Sequence, residues 1–293
     1  MSFSKRMSRI KPSGIRAVQK RIAGKSDMIS FAAGLPDPAL YPLEDLRKAA
    51  DTMLEKEGAT AFAYGLTKGY GPLLDYLTDR MNNREHVECT KENICILSGS
   101  QQGLGLAAMT FLDEGDVVIT ENPSYLGAIN AFRPYGAEFV GVDTDDDGIV
   151  IEDLERALEE NPKTKLIYVI PNFQNPTGKA WTLERRERFM EVVAKYDVAV
   201  VEDNPYGDLR FKGEPLPHLR ALDKKGQVIY LGSFSKILSP GMRVAWTCAS
   251  KEVATAFESL KETNDLQSPE LTQMLTYYYL KMFNLEKHIE EIQ

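Results

Sequence analysis

Cysteine and histidine are both scarce in this chain, three of each among 293 residues. Cys89, Cys95 and Cys248 form no Cys-x-x-Cys pair, and His86, His218 and His288 stand far apart. Neither a disulfide scaffold nor a metal site is therefore expected. No apolar run reaches the ~18–20 residues that a bilayer demands, and Met1–Gly24 is too basic and interrupted for a signal peptide, so no membrane partner is expected. Both near-sequons, Asn122-Pro123-Ser124 and Asn175-Pro176-Thr177, are spoiled by their proline. A cytoplasmic location fits these absences. Positive charge is also in deficit, with 35 Lys and Arg against 43 Asp and Glu and a formal net charge of −8. An acidic surface repels a phosphate polymer, which argues against nucleic acid as a partner.

What remains is ordinary globular composition, 43% hydrophobic and 27% charged, without repeats or low-complexity tracts. The length suggests about two domains, or one large domain with an attachment. Short apolar runs alternate with helix-period segments. Strands are predicted at Ile94–Ser98, Val117–Thr120, Glu138–Val142, Leu166–Ile170, Val198–Glu202, Val228–Gly232 and Arg243–Cys248. Helices are predicted at Leu43–Leu54, Gly71–Met81, Gln101–Phe111, Leu126–Phe132, Ile151–Glu160, Thr182–Lys195 and Lys251–Glu262. Strands separated by helices imply right-handed crossovers, hence an α/β fold of three layers around a mostly parallel seven-stranded sheet. Only Ser233–Met242 separates the last two strands, too little for a helical crossover, so Arg243–Cys248 is expected to run antiparallel. Ser268–Gln293 reads as one long helix that the chain leaves without a cap, as a piece of a longer protein would.

Four segments carry chemistry. Ile94-Cys-Ile-Leu-Ser-Gly-Ser-Gln-Gln is a strand, a turn and a helix start, where free N–H groups and the Ser100 hydroxyl can cradle an anion. The plainer reading makes Ser98 or Ser100 a helix cap. In Gly232-Ser-Phe-Ser-Lys-Ile-Leu-Ser-Pro-Gly-Met-Arg, Lys236 sits just past a buried strand. Partial desolvation there lowers a lysine toward the neutral amine that attacks carbonyls, while Ser233, Ser235 and Arg243 can hold a dianion. Asp203 and Tyr206 cap a third strand, and Asn175, in Pro171-Asn-Phe-Gln-Asn-Pro-Thr-Gly, a fourth. Ligands of open α/β sheets collect outside the carboxyl ends of strands, so these groups are expected to meet in one crevice. Two other segments attract attention and are read plainly. Asp143-Thr-Asp-Asp-Asp-Gly has the opening of a calcium loop but Leu154 at its twelfth position, so it reads as an acidic turn. Tyr277-Tyr-Tyr reads as packing.

With these residues in view, the chain resembles the class I/II aminotransferases, fold type I pyridoxal 5′-phosphate enzymes. It is most similar to the branch of 2-aminoadipate, kynurenine-type and broad-specificity aminotransferases. The resemblance spans the chain from Phe31-Ala-Ala-Gly-Leu-Pro onward and rests on Ser233-x-Ser-Lys-x-x-x-Pro-Gly-x-Arg243 with Asn175-Pro-Thr-Gly. It implies the PLP-dependent transferase fold and transfer of an amino group from an L-amino acid to a 2-oxo acid, 2-oxoglutarate being the expected acceptor, by a ping-pong Schiff-base mechanism. Lys236 becomes the Schiff-base lysine, Asp203 the partner of the pyridine nitrogen, and Tyr206 and Asn175 the donors to the ring oxygen. Tyr125 is expected to stack on the ring. Ser100, Gln101, Ser233, Ser235 and Arg243 are expected at the phosphate, joined by Tyr64 from a neighbouring subunit, which implies a homodimer. Gly34, Arg16 and Asn175 fall near the substrate. The bonds before Pro123 and Pro176 are expected to be cis. Ala245 departs from the family's usual glycine.

The same resemblance suggests a division into residues 1–30, part of a small domain, 31–267, the cofactor-binding domain, and 268–293, the start of a helix leading to an absent C-terminal small domain. The family's main carboxylate-binding arginine has no counterpart before Gln293, so the chain is expected to bind cofactor yet turn over poorly, with the apolar face of its last helix exposed or covered by a partner. Lyases and decarboxylases share the constellation, as do effector domains of transcription regulators. A dinucleotide-binding dehydrogenase is the weaker reading, since the glycine fingerprint is missing.

Overall fold

The computed structural model describes residues 1–11, 21 and 34–293. Eight strands form one sheet: β1 (Ile94–Leu97), β2 (Val117–Asn122), β3 (Glu138–Asp145), β4 (Gly148–Ile149), β5 (Thr164–Val169), β6 (Ala199–Asn204), β7 (Val228–Ser233) and β8 (Ala245–Cys248), in the order β1-β8-β7-β6-β5-β2-β3-β4. The pairs within β3-β2-β5-β6-β7 are parallel, and β8 runs antiparallel to both β7 and β1. The antiparallel strand expected from the short connection is therefore present. The count of seven is corrected to eight. β4 is a two-residue strand folded back on β3 across the acidic turn, too short to show as an apolar run. Within that turn Asp145 pairs with both terminal nitrogens of Arg185, at 3.0 and 2.9 Å, and Asp146 with Lys179.

The described helices are α1 (Lys5–Arg9), α2 (Leu43–Ala61), α3 (Gly71–Asn83), α4 (Ser100–Phe111), α5 (Leu126–Phe132), α6 (Ile151–Glu160), α7 (Leu183–Val193), α8 (Leu219–Leu222), α9 (Lys251–Asn264), α10 (Glu270–Met282) and α11 (Leu285–Ile292). Alternate side chains of each strand serve opposite faces. Leu97, Val118, Tyr168, Val201 and Leu231 meet Leu104, Ala108, Phe132 and Phe257 from α4, α5 and α9. On the other face Ile119, Ile167 and Val200 meet Leu154, Phe189 and Val193 of α6 and α7. Tyr230 and Trp246 meet Met53, Leu77 and Tyr279. This is the three-layer arrangement, with most of its apolar area removed from water. No described helix is long and apolar enough to cross a membrane.

The tail corrects two expectations. Ser268–Gln293 is two helices rather than one. Phe283 turns extended, and the Asn284 side chain accepts from the N–H groups of Glu286 and Lys287, starting a new helix. Nor is the apolar face of the tail exposed: Met274, Tyr278, Tyr279, Leu285 and Ile289 are buried in the same cluster as Ala49 and Met53 of α2. The tyrosine run thus packs, as expected.

Candidate active site

Local sequence places each group at the rim of the sheet. β1 ends in Ser98-Gly99, and Gly99 takes φ +85° with no Cβ, where an added Cβ would fall 1.9 Å from the Arg243 guanidinium. Only glycine tolerates both demands. α4 then starts at Ser100 with neither serine capping it. Instead the Ser98 N–H donates to Gln102 Oε1 at 2.8 Å, leaving the Ser100 hydroxyl at the cavity and the N–H groups of Ser100 and Gln101 without backbone partners among the described residues. Across from them, Ser233 Oγ donates to Ser235 Oγ at 2.9 Å and accepts from the Ser235 N–H at 3.0 Å. Arg243 adopts a left-handed backbone, φ +54°. Its guanidinium reaches only the carbonyls of Pro240 and Ser98 among the described residues, at 3.3 and 3.5 Å. Three hydroxyls, a helix N-terminus and a guanidinium with no carboxylate partner among the described residues form an anion cup.

The end of β6 supplies the opposite charge. Asp203 is buried; its Oδ2 accepts from Tyr168 OH at 2.8 Å, while its Oδ1 has no partner at all among the described residues. Burial raises its pKa to about 6, against the Tyr168 hydrogen bond that lowers it. Lys236 lines the same cavity as cup and carboxylate. Burial lowers its pKa, its Nζ donates weakly to Gly34 O at 3.4 Å, and it stands 5.8 Å from the centre of the Tyr206 ring. Tyr206 OH accepts from Asn175 Nδ2 at 3.4 Å. The bonds before Pro123 and Pro176 are both cis, as the resemblance implied.

These groups enclose a cavity of about 180 Å³, lined among others by Ser100, Gln101, Tyr125, Asn175, Asp203, Tyr206, Ser233, Ser235, Lys236 and Arg243. Three predicted residues stand apart. Gly34 touches Lys236 at the edge, Tyr64 is 85% exposed and does not line this cavity, and Arg16 lies outside the described residues. Sequence reasoning missed Tyr168 and Gln102. Tyr168 was legible in part: it is a phenol within an aliphatic strand, on the face of β5 that Val201 and Asp203 share on β6.

The set has the polarity of one particular ligand: a dianion at one end, a group bearing an N–H at the other, and a carbonyl carbon near an amine. The buried Oδ1 without a donor is the sharpest part of this fit, because an unpaired buried carboxylate oxygen is costly. Residues 26–288 match the family described as aminotransferase class I and II. The chain belongs to that family. This aminotransferase is 41% identical over 294 residues to aromatic-amino-acid aminotransferase 1 of Thermococcus litoralis, covering 99% of this chain and 70% of the relative. It is 40% identical to the 2-aminoadipate transaminase of Thermus thermophilus, covering 96% and 69%. The crystal structure of Pyrococcus horikoshii kynurenine aminotransferase, in complex with PMP, KYN and KYA, superposes with a TM-score of 0.93 at 39% identity, covering 99% of this chain and 72% of that one. The aminotransferase is pyridoxal-phosphate-dependent and has the PLP-dependent transferase fold.

Proposed function

We propose that Lys236, Asp203 and Tyr206 are the catalytic residues of an aminotransferase that takes its amino group from an L-amino acid and passes it to 2-oxoglutarate. The observation that carries the assignment is the cavity itself, which a lysine of lowered pKa lines together with an anion cup and a buried carboxylate oxygen that has no donor among the described residues. Ser100, Gln101, Ser233, Ser235 and Arg243 would hold the phosphate, Asp203 the ring nitrogen, and Asn175 and Tyr206 the ring oxygen, with Tyr125 against the ring. When bound, pyridoxal phosphate supplies the aldehyde that accepts the amino group and the ring that takes up the electron pair left at the substrate Cα. Lys236, its pKa lowered by burial, would remove the substrate's Cα proton and return one on the product side, acting as both base and acid. Asp203 would hold a ring N–H and keep that nitrogen protonated, and such a hydrogen bond and opposite charge would lower its pKa from the value burial imposes. Lys236→Ala should lose the visible absorption of bound cofactor together with turnover. Undiminished transamination by that variant would refute the assignment.

The same reading extends to the assembly. Residues 31–267 form the cofactor-binding domain, flanked by 1–30 and by the 268–293 segment, and two copies share their sites. Phe62, Tyr64 and Leu66 are each more than 70% exposed in one loop, which suits an interface. From there Tyr64 would reach the phosphate of the neighbouring subunit. Mixing the inactive Lys236→Ala protein with a Tyr64→Ala variant should restore activity, since hybrid dimers hold one site with both native residues. Gly34, Arg16 and Asn175 are assigned to the substrate side, and a panel of amino donors with 2-oxoglutarate tests donor and acceptor together.

A further inference from the structure

Arg186, on α7, is wholly buried although it has no carboxylate within 4 Å among the described residues. Burial lowers its pKa to about 10, with the charge of Glu202 opposing the shift. Its guanidinium is caged by oxygens instead. Nε donates to Trp181 O at 3.3 Å, Nη1 to Pro217 O at 2.9 Å, and Nη2 to Pro171 O at 3.1 Å and Asn172 Oδ1 at 2.7 Å. Asn172 in turn donates from Nδ2 to Asn204 Oδ1 at 2.8 Å, and Asn204 donates to Tyr230 OH at 2.9 Å. Gly207 makes room for this chain, since a Cβ there would come within 2.4 Å of Asn204 Oδ1. The positions are telling. Pro171 and Asn172 open the loop that carries Asn175, and Asn204 lies between Asp203 and Tyr206. A fixed planar fork with five donors can hold several oxygens of two loops at once, which an ammonium point charge cannot.

We infer that Arg186 is a positioning residue for the transamination site, setting Asn175 against Tyr206 through Asn172 and Asn204. The inference rests on the reading that Asn175 and Tyr206 donate to the ring oxygen of the cofactor. Arg186 touches neither residue directly. It locks the loop after β5 to the loop after β6, so that the 3.4 Å approach of Asn175 Nδ2 to Tyr206 OH is kept while both groups stay free to turn toward a ligand. Donors that stabilise a negatively charged oxygen lower the pH at which the bound chromophore deprotonates, and misplacing them raises it.

The test uses protein loaded with pyridoxal phosphate, and reads the pH midpoint of its visible absorption change, the cofactor dissociation constant and the Tm of the apoprotein. Tyr206→Phe should raise the midpoint by about one pH unit, a tenfold change in the equilibrium. Arg186→Met and Asn172→Ala should each raise it in the same direction by a smaller amount and weaken cofactor binding severalfold. Arg186→Lys should recover part of both. The Arg186→Met, Tyr206→Phe double variant should shift by less than the sum of the two single variants, because part of the Arg186 effect runs through Tyr206. An unmoved midpoint in Tyr206→Phe would sink the assignment of Tyr206 itself. A shifted midpoint there, with parental values in both Arg186→Met and Asn172→Ala despite a lowered Tm, would reduce Arg186 to a structural role and overturn the inference. If Arg186→Met does not fold, Asn172→Ala, which cuts the same chain one link later, decides alone.

Discussion

Glu202 and Asp203 are adjacent residues of one strand, both carboxylates and both buried, yet they live opposite lives. Glu202 points to the face away from the cavity, where each of its oxygens has a backbone donor. It accepts from the N–H groups of Leu219 and Arg220, each at 2.9 Å, and its Oε1 lies 3.3 Å from His218 Nδ1. His218 also contacts Glu85 at 2.8 Å, and Glu85 pairs with Arg80, which binds Asp208. Burial alone would raise Glu202, but the hydrogen bond and charge of His218 and the two backbone donors prevail, so its pKa is lowered. Asp203, one residue on, faces the cavity with one oxygen satisfied and one not, and its pKa is raised to about 6. A strand alternates sides, so neighbouring positions can be assigned to stability and to function independently. A saturated buried carboxylate holds the fold together, whereas an unsaturated one costs stability and is kept ready for a ligand.

Substitutions should separate the two, starting with the largest effect. Asp203→Asn should cut transamination by about 10²–10⁴-fold, as losses of a positioned acid–base partner do. The same change should stabilise the apoprotein near neutral pH. A folded-state pKa above the ordinary 3.8 contributes stability only in acid, and that stability is gone once the pH passes about 6. Removing the ionisable group removes this cost, on the order of 2 kcal/mol, readable as a higher apoprotein Tm. A lower Tm would mean that Asp203 supports the fold after all.

Glu202→Gln should do the reverse, destabilising by about 2 kcal/mol because it removes one of the two carboxylates that face a buried His218, while the cofactor absorption spectrum of the folded fraction stays parental. Chemical denaturation against the parent measures the first and a pH-jump-free absorption scan the second. A smaller effect comes from pH. Burial would lower His218, but its hydrogen bonds to Glu202 and Glu85 and their charges raise it to about 9. A raised folded-state pKa gives stability that is full below the ordinary value of 6.5 and is lost as the pH climbs through about 9. Apoprotein Tm should therefore fall between pH 7 and 10, and His218→Gln should flatten that part of the curve. The smallest effect is expected at the surface, where Asp145 is half exposed opposite Arg185. Asp145→Asn should cost no more than about 1 kcal/mol, the worth of an exposed pair, and should fade further in high salt.

Legibility follows the same division. The seven apolar strand runs and the helices between them were readable because burial on both faces demands continuous apolar stretches, and the edges of most elements moved by only a few residues. β4 was not readable, since two residues show no period. The break at Phe283-Asn284 lay within an otherwise helical pattern, and the Asn284 cap competed with helix continuation on nearly equal terms. Ten of the fourteen residues lining the cavity were named because turn chemistry and residue type are local. Tyr168, Asn172 and Arg186 were not, because each acts through a partner distant in sequence, such as Asp203, thirty-five positions beyond Tyr168.

The sequence by itself determined the alternation of strand and helix, the antiparallel return of β8, and the residue types that end each strand, all consequences of short-range stereochemistry and hydrophobic period. It also carried the motifs that mark an aminotransferase. Tertiary structure decided which of two adjacent carboxylates would be saturated and which left open, and that a buried arginine would be caged by the loops of two different strands. Those outcomes depend on what lies across the sheet within hydrogen-bond reach, and at that range a donor brought by folding changes the free energy of a buried charge more than any neighbour along the chain.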